Sequence, residues 1–361
     1  MTNPPVASID AQTDENNPDD IIVEYWGTRG SIPTPGLATQ RYGGNSSCVA
    51  LRFGRSLFIC DGGTGIRALG QELTRLGGPP VRAHLFFSHS HWDHIQGFPF
   101  FTPAYDPRAR ITVYGNHAGP GCMYDLLSGQ MQAEYFPVSF RDLGAQITGG
   151  ALAEPEGSIA DPDDPASVAL RERLGAPPEL ALGRAAAASI GMGRMPSAPL
   201  REDGVIIDGV RVRVFRGRHP GGSVAYRFES GGVSVVYCTD NELDAVLLNR
   251  AESLSDPARM RRAPLDFVDF VAGADLLIGD AQYTDQEYPK KVGWGHSRAN
   301  TVVDLSVQAE VQRVALYHHD PLQTDAMVDW KVDEARARAL RHGESRLEVS
   351  GARERVQIKL R

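Results

Sequence analysis

Residues 88–97 read SHSHWDHIQG, which places His89, His91, Asp93 and His94 within six consecutive positions directly after the apolar run 83–87. In an extended chain residues i and i+2 face the same way, so His89 and His91 can grip one cation from one side. A turn at Trp92 swings Asp93 and His94 toward a second cation close by. Imidazole nitrogens and carboxylate oxygens without thiolate suit Zn²⁺, Mn²⁺ or Fe, and favour a hydrolytic centre over a structural Cys-rich one.

Four ligands cannot complete two metal shells, and further donors stand at strand ends downstream. His219 lies in RHPGGSVAYRF, Asp240 closes VSVVYCTD, and His318 and His319 follow VALY. Each alone reads as a turn former, but together they form a series. His318, the first residue past its apolar run, is the expected ligand, with His319 and Asp320 expected at the substrate mouth.

The elements that must position these residues are legible as short apolar runs. Strands are expected at 21–26, 48–53, 57–60, 83–87 and 111–114, and helices at 64–76 and near 121–131. Residues 149–200 turn to Ala, Pro, Gly and Asp and read as an insertion, a lid or a contact surface for a homo-oligomer. Strands resume at 205–215, 223–229, 233–238, 276–279 and 314–317, with helices at 299–308 and 325–342. The runs 346–349 and 356–360 suggest a closing hairpin. This order fits two β-sheets covered by helices, an α+β fold, better than a doubly wound parallel sheet. His84, inside a strand pattern, and His117, in a turn, stand apart from the ligand series.

Composition sets the bounds. The 361 residues are 42% hydrophobic and 23% charged, ordinary globular usage. A net charge of −8 argues against a nucleic-acid footprint. The cysteines, Cys48, Cys60, Cys122 and Cys238, are scattered without a CxxC pair, so no disulfide framework is expected and a reducing cytoplasm is. Residues 1–20 read as a disordered tail without signal-peptide features, no run has transmembrane length, and 21–361 read as one domain.

HSHWDH followed by His219, Asp240 and His318 resembles the motif series of the metallo-β-lactamase superfamily. The resemblance implies a four-layer αββα sandwich with two divalent metals at one edge, Zn²⁺ first and Mn²⁺ or Fe as alternatives. It implies that His89, His91 and His219 hold one metal and Asp93, His94 and His318 the other, with Asp240 and a hydroxide between them. Asp61, in ICDGGTG, matches the aspartate that orients a ligand.

His296 in GWGHSRA and Asp280 in LLIGDAQYT resemble the His and Glu motifs of the transfer-RNA 3′-processing phosphodiesterases, with Asp standing where that group has Glu. The resemblance gives His296 a proton or positive charge for the phosphoryl oxygens, and Asp280 the task of orienting it. Only 21 residues separate His219 from Asp240, too few for the flexible arm that RNA-processing members insert there. That spacing is similar to the cyclic phosphodiesterase of phosphonate breakdown, although the Cys-containing zinc site of that enzyme has no counterpart here. The expected substrate is therefore a small phosphodiester, a cyclic nucleotide or cyclic sugar phosphate, with neither long nucleic acid nor membrane as partner. Arg29 in GTRGS would grip the phosphate, and Tyr135 and Phe136 would stack a base or sugar. Two rival readings are hydrolysis of a lactone or β-lactam carbonyl, which the same hydroxide could attack, and a metal-binding sensor or scaffold without turnover.

Overall fold

The computed structural model describes residues 20–75, 79–115, 123–150, 152 and 204–361. Nearly all of the expected tail and insertion, and the turn at His117, lie outside the described residues.

Two seven-stranded sheets face each other. The first comprises β1 (Ile21–Gly27), β2 (Cys48–Phe53), β3 (Ser56–Cys60), β4 (Arg82–Phe87), β5 (Arg110–Gly115), β6 (Gln146–Gly149) and, at its far edge, β14 (Gln357–Lys359), in the order β14-β1-β2-β3-β4-β5-β6. The second comprises β7 (Val205–Ile207), β8 (Val210–Gly217), β9 (Ser223–Ser230), β10 (Val233–Cys238), β11 (Leu276–Asp280), β12 (Arg313–Tyr317) and β13 (Glu348–Gly351), in the order β13-β12-β11-β10-β9-β8-β7. Each sheet joins three antiparallel pairings to three parallel ones. The inner parallel strands are covered on both faces and so read as nearly continuous apolar runs; every residue of LLIGD in β11 is buried.

Tyr25, Phe58, Phe86, Tyr226, Phe228, Tyr237, Ile278 and Tyr317 fill the layer between the sheets. Outside the first sheet pack α1 (Gly65–Thr74) and α3 (Met123–Gln130), through Ile66, Leu69, Met123 and Leu127. Outside the second pack α5 (Leu265–Val271), α6 (Ala299–Gln308) and α7 (Asp325–Arg341), through Phe267, Phe270, Val302, Leu305, Val328 and Val332. The short helices α2 (Trp92–Ile95) and α4 (Arg250–Ser255) complete the described helices. This is the expected αββα arrangement. Among the described residues no helix is long and apolar enough to cross a membrane, and Cys48, Cys60 and Cys238 are buried free thiols.

Two expectations fail for identifiable reasons. The run 205–215 is not one strand: Asp208 and Gly209 take φ of 47° and 81°, and the chain reverses there so that β7 pairs antiparallel with β8. The closing hairpin does not form either. β13 adds in parallel to β12 and β14 adds antiparallel to β1, so each run covers the open edge of a different sheet.

The parallel arrangement delivers chemistry to one edge. Asp61 follows β3, Ser88 and His89 follow β4, Asp240 comes two residues after β10, Asp280 ends β11, and His318 follows β12. Asp61, Asp240 and His318 have φ of 60°, 48° and 60°. That left-handed backbone costs a non-glycine residue on the order of 1 kcal/mol or more and is kept where the surroundings impose it.

Candidate metal centre

Two groups of ligand-type side chains meet at this edge, His89, His91, His219 and Asp240 in one and Asp93, His94, Asp240 and His318 in the other, with the donor atoms of each group within 4.8 Å of one another. Asp240 belongs to both. Its Oδ1 lies 3.1 Å from His94 Nε2 and 3.2 Å from His318 Nε2, and its Oδ2 lies 3.6 Å from both His89 Nε2 and His219 Nε2. Asp93 Oδ2 sits 3.2 Å from His94 Nε2 and 3.2 Å from His318 Nε2.

The far nitrogen of each central imidazole is already committed. His94 Nδ1 bonds Asp61 Oδ2 at 2.7 Å, His219 Nδ1 donates to Gly295 O at 2.8 Å, and His318 Nδ1 donates to Gln282 Oε1 at 3.1 Å. Asp61 is itself fixed by the Ser88 amide and hydroxyl and by Tyr237 Oη, at 2.7, 2.8 and 2.7 Å. Such outer contacts set the tautomer and leave Nε2 as a lone pair facing inward.

The donor set fits divalent cations. Buried His89 Nε2 has no hydrogen-bond partner, and His94 Nε2 faces only the carboxylates of Asp93 and Asp240. His219 Nε2 faces His91 Nδ1 at 3.0 Å. Burial lowers His89, His91 and His219 from the ordinary histidine value, His219 to about 4, so their lone pairs stay available. Against burial, Asp240, Asp93 and Asp61 raise His94. A nest of inward lone pairs around two carboxylates is what a pair of cations would satisfy.

Beside the clusters lies a third assembly. Asp280 Oδ2 is 2.9 Å from His296 Nδ1 and also accepts the Asn241 amide at 3.0 Å. The His296 ring stacks on His318 with centroids 5.0 Å apart and lies 5.1 Å from His219. Burial works to lower the His296 imidazole, yet Asp280, with Asp240 and Asp93, pushes it up to about 9.

Several expected substrate contacts are corrected. Arg29 is fully buried, and its guanidinium donates to the carbonyls of Gly43, Asp320 and Gln323, so it ties loops together and cannot reach a phosphate. The GTRGS loop contributes through its neighbours instead: the Ser31 amide donates to Asp93 Oδ2 at 2.7 Å, and a Cβ on Gly30 would stand 2.6 Å from the His318 ring. His319 is also fully buried, bonding Ala352 O and meeting Tyr42 edge-on, and Asp320 is buried, so neither lines a mouth. Phe136 packs edge-on against Phe100 and borders a cavity of 590 Å³ whose charged lining is Asp125, Glu134, Asp142 and Arg141, and Tyr135 next to it is exposed, so the correction does not extend to these two. His84 pairs with Asp208 and Tyr114, apart from the clusters.

Three positioning residues escaped sequence reading. Gln282 orients His318, and the Asn241 amide binds Asp280. Glu242 accepts Tyr288 Oη at 2.7 Å and the amides of Gly293 and Gly295 at 2.7 and 3.0 Å, fixing the turn whose Gly295 carbonyl holds His219. All three sit within two residues of a strand-end aspartate, which is the signal that could have found them.

A family model described as the metallo-beta-lactamase superfamily matches residues 41–259. Ribonuclease Z of Haloferax volcanii is 26% identical over 304 residues, covering 81% of this chain and 83% of that protein. Among solved structures, the short form of human tRNase Z superposes with a TM-score of 0.53 at 16% identity over 94% of this chain and 99% of that one. A diphosphatase of the PhnP family gives a TM-score of 0.53 at 12% identity over 94% and 97%. The ribonuclease relative overturns the exclusion of long nucleic acid. That exclusion rested on net charge, which sums the whole chain and is blind to a local basic surface, and on the short interval from His219 to Asp240.

Proposed function

The chain belongs to the metallo-β-lactamase superfamily, and from that membership we propose a metal-dependent phosphoric diester hydrolase acting on nucleotide phosphodiesters. The observation that carries the reading is the His296–Asp280 pair stacked beside His318 and His219. A protonated imidazole at that place serves the charged oxygens of a phosphodiester, whereas attack on a carbonyl has no comparable need of it. The ribonuclease and tRNase names of its relatives support nucleotide substrates, of which a cyclic nucleotide is the smallest form.

His89, His91 and His219 would hold one cation and Asp93, His94 and His318 the other, with Asp240 between them. Two divalent cations, Zn²⁺ in the first instance, would supply there a water ionised near neutral pH and positive charge for the phosphoryl oxygens. Asp61, Gly295 O and Gln282 keep the ligand imidazoles turned inward. His296 keeps Nδ1 on Asp280, so Nε2 is the atom that donates to a phosphoryl oxygen or passes a proton to the leaving alkoxide. Such general-acid help is worth roughly 10²- to 10⁴-fold.

Elemental analysis joined to a substrate panel tests this. A 3′-extended transfer RNA, a 2′,3′-cyclic nucleotide, bis(p-nitrophenyl) phosphate, nitrocefin and a simple lactone should separate into cleaved diesters and inert carbonyl substrates. Turnover confined to the carbonyl substrates, or none by metal-replete protein, overturns the proposal.

A further inference from the structure

The turn that delivers His296 reads YPKKVGWGH over residues 288–296. Trp294 is 58% exposed, although Gly295 and His296 beside it are buried. Gly293 and Gly295 take φ of 84° and 90°, a region favouring glycine. Their amides are fixed on Glu242, 2.7 and 3.0 Å away. The indole is therefore held out in solvent by a firmly anchored backbone.

A cation stands against it. Lys291 Nζ stands 3.9 Å from the Trp294 ring centroid and 5.8 Å from that of Tyr283, whose ring meets His296 edge-on at 5.9 Å. Lys290 beside it is exposed. An ammonium over one indole face orients the ring and leaves its other face for a planar ligand. In a chain of net charge −8, adjacent lysines next to a phosphodiester site select an anionic partner.

A second indole flanks the same cation group. Trp92 is 63% exposed between His91 and Asp93. His91 is the one exposed member of the first ligand group, and its ring lies 4.9 Å from that of His219, which the Trp294 turn holds.

We propose that Trp294 and Lys291, with Trp92 on the other flank, form a nucleotide subsite. Trp294 stacks the base beside the scissile phosphodiester, Lys291 and Lys290 meet the adjoining phosphate, and Trp92 offers a second stacking face. Base stacking tolerates sequence because every base has a π-face, so the subsite selects single-stranded nucleotides as a class. The inference rests on the phosphodiesterase reading above for its substrate, but its binding residues can be tested without turnover.

The full-length, metal-loaded protein is titrated into a fluorescein-labelled short 2′-O-methyl RNA, followed by anisotropy, with a denaturing gel showing that the RNA stays uncleaved over the titration. Trp294→Ala should weaken binding about tenfold, the scale of one lost base stack, with Trp294→Phe restoring most of it. Lys291→Gln should weaken binding and flatten its salt dependence. In parallel, kcat/KM is compared for thymidine 5′-p-nitrophenyl phosphate and methyl p-nitrophenyl phosphate, which share a leaving group. Trp294→Ala should cost the nucleoside diester about tenfold more than the methyl diester. Equal losses on both diesters, or unchanged RNA binding, overturn the subsite. Unchanged RNA binding with a shift in sedimentation would make the rim a protein interface and overturns it equally. Loss of RNA binding in a protein that cleaves neither diester would keep the subsite and overturn the phosphodiesterase reading.

Discussion

Asp280 Oδ2 accepts from His296 Nδ1 at 2.9 Å while also taking the Asn241 amide at 3.0 Å, so the carboxylate that orients the imidazole is held from the strand that delivers Asp240. Proton donor and cation group are thereby tied to neighbouring strand ends. His296→Ala should retain its metal by elemental analysis and lose about 10²- to 10⁴-fold in kcat on diesters. Asp280→Asn should fall between the variant and the parent, because the amide keeps a contact but not the charge. Full activity of His296→Ala would remove the assigned role.

Gly295 packs so closely that a Cβ there would lie 2.2 Å from His219 Nδ1. Gly295→Ala should therefore displace His219 and lower the bound metal measured on purified protein, with far-ultraviolet circular dichroism unchanged. A variant that keeps its full metal content would show that His219 is not needed to hold a cation.

Much of this site could be read from the chain because its chemistry sits at strand ends. An apolar run followed by His or Asp is visible in one dimension, as at Phe87, Cys238 and Tyr317. Arg29 shows the limit. Its motif suggested a phosphate grip, yet whether a guanidinium faces ligand or carbonyls depends on loops nearly three hundred positions apart in sequence, Gly43 on one side and Gln323 on the other. Glu242 and Gln282 stayed hidden likewise, since their partners are backbone groups and ring nitrogens that only the packed sheets bring near. The edge strands β13 and β14 were legible as strands but not as members of different sheets, because edge pairing is decided by what each sheet leaves open.

Lys331 is buried, with Nζ donating to Ala281 O and Gln323 Oε1 at 2.8 and 2.7 Å, two bonds that a neutral amine can make in full. Burial pulls its value down to about 7, only partly offset by Glu287 and Asp320. Between about pH 7 and the unfolded lysine value the unfolded chain carries a proton that the folded chain lacks, so stability rises with pH there, by at most about 1.4 kcal/mol per unit from this group. Urea unfolding from pH 7 to 9 should show a shallower rise for Lys331→Met than for the parent. Identical slopes would mean that Lys331 is charged in the fold.

Arg338 and Asp304 form a buried pair, Nε and Nη2 each 2.6 Å from a carboxylate oxygen, with Arg338 Nη1 and Nη2 also on Pro257 O and Arg259 O. Arg338→Met strands a buried carboxylate and should cost about 3 to 5 kcal/mol in urea unfolding. Adding Asp304→Leu should recover part of that loss. A single variant as stable as the parent would show that the Arg261 amide, 2.8 Å from Asp304 Oδ2, and His342, 3.3 Å from Oδ1, satisfy the carboxylate without Arg338.

Each of the two ligand groups draws two residues from either sheet. His89 and His91 of the first sheet face His219 and Asp240 of the second, and Asp93 and His94 face Asp240 and His318. Neither half of the chain owns a binding site, so the halves behave as the jaws of one chelator. Filling the jaws would clamp the sandwich shut at its edge, and chelation should let that edge breathe while the aromatic layer between the sheets keeps the halves together. Bound metal would then set how tightly two halves of one molecule hold each other, as well as serving the reaction between them.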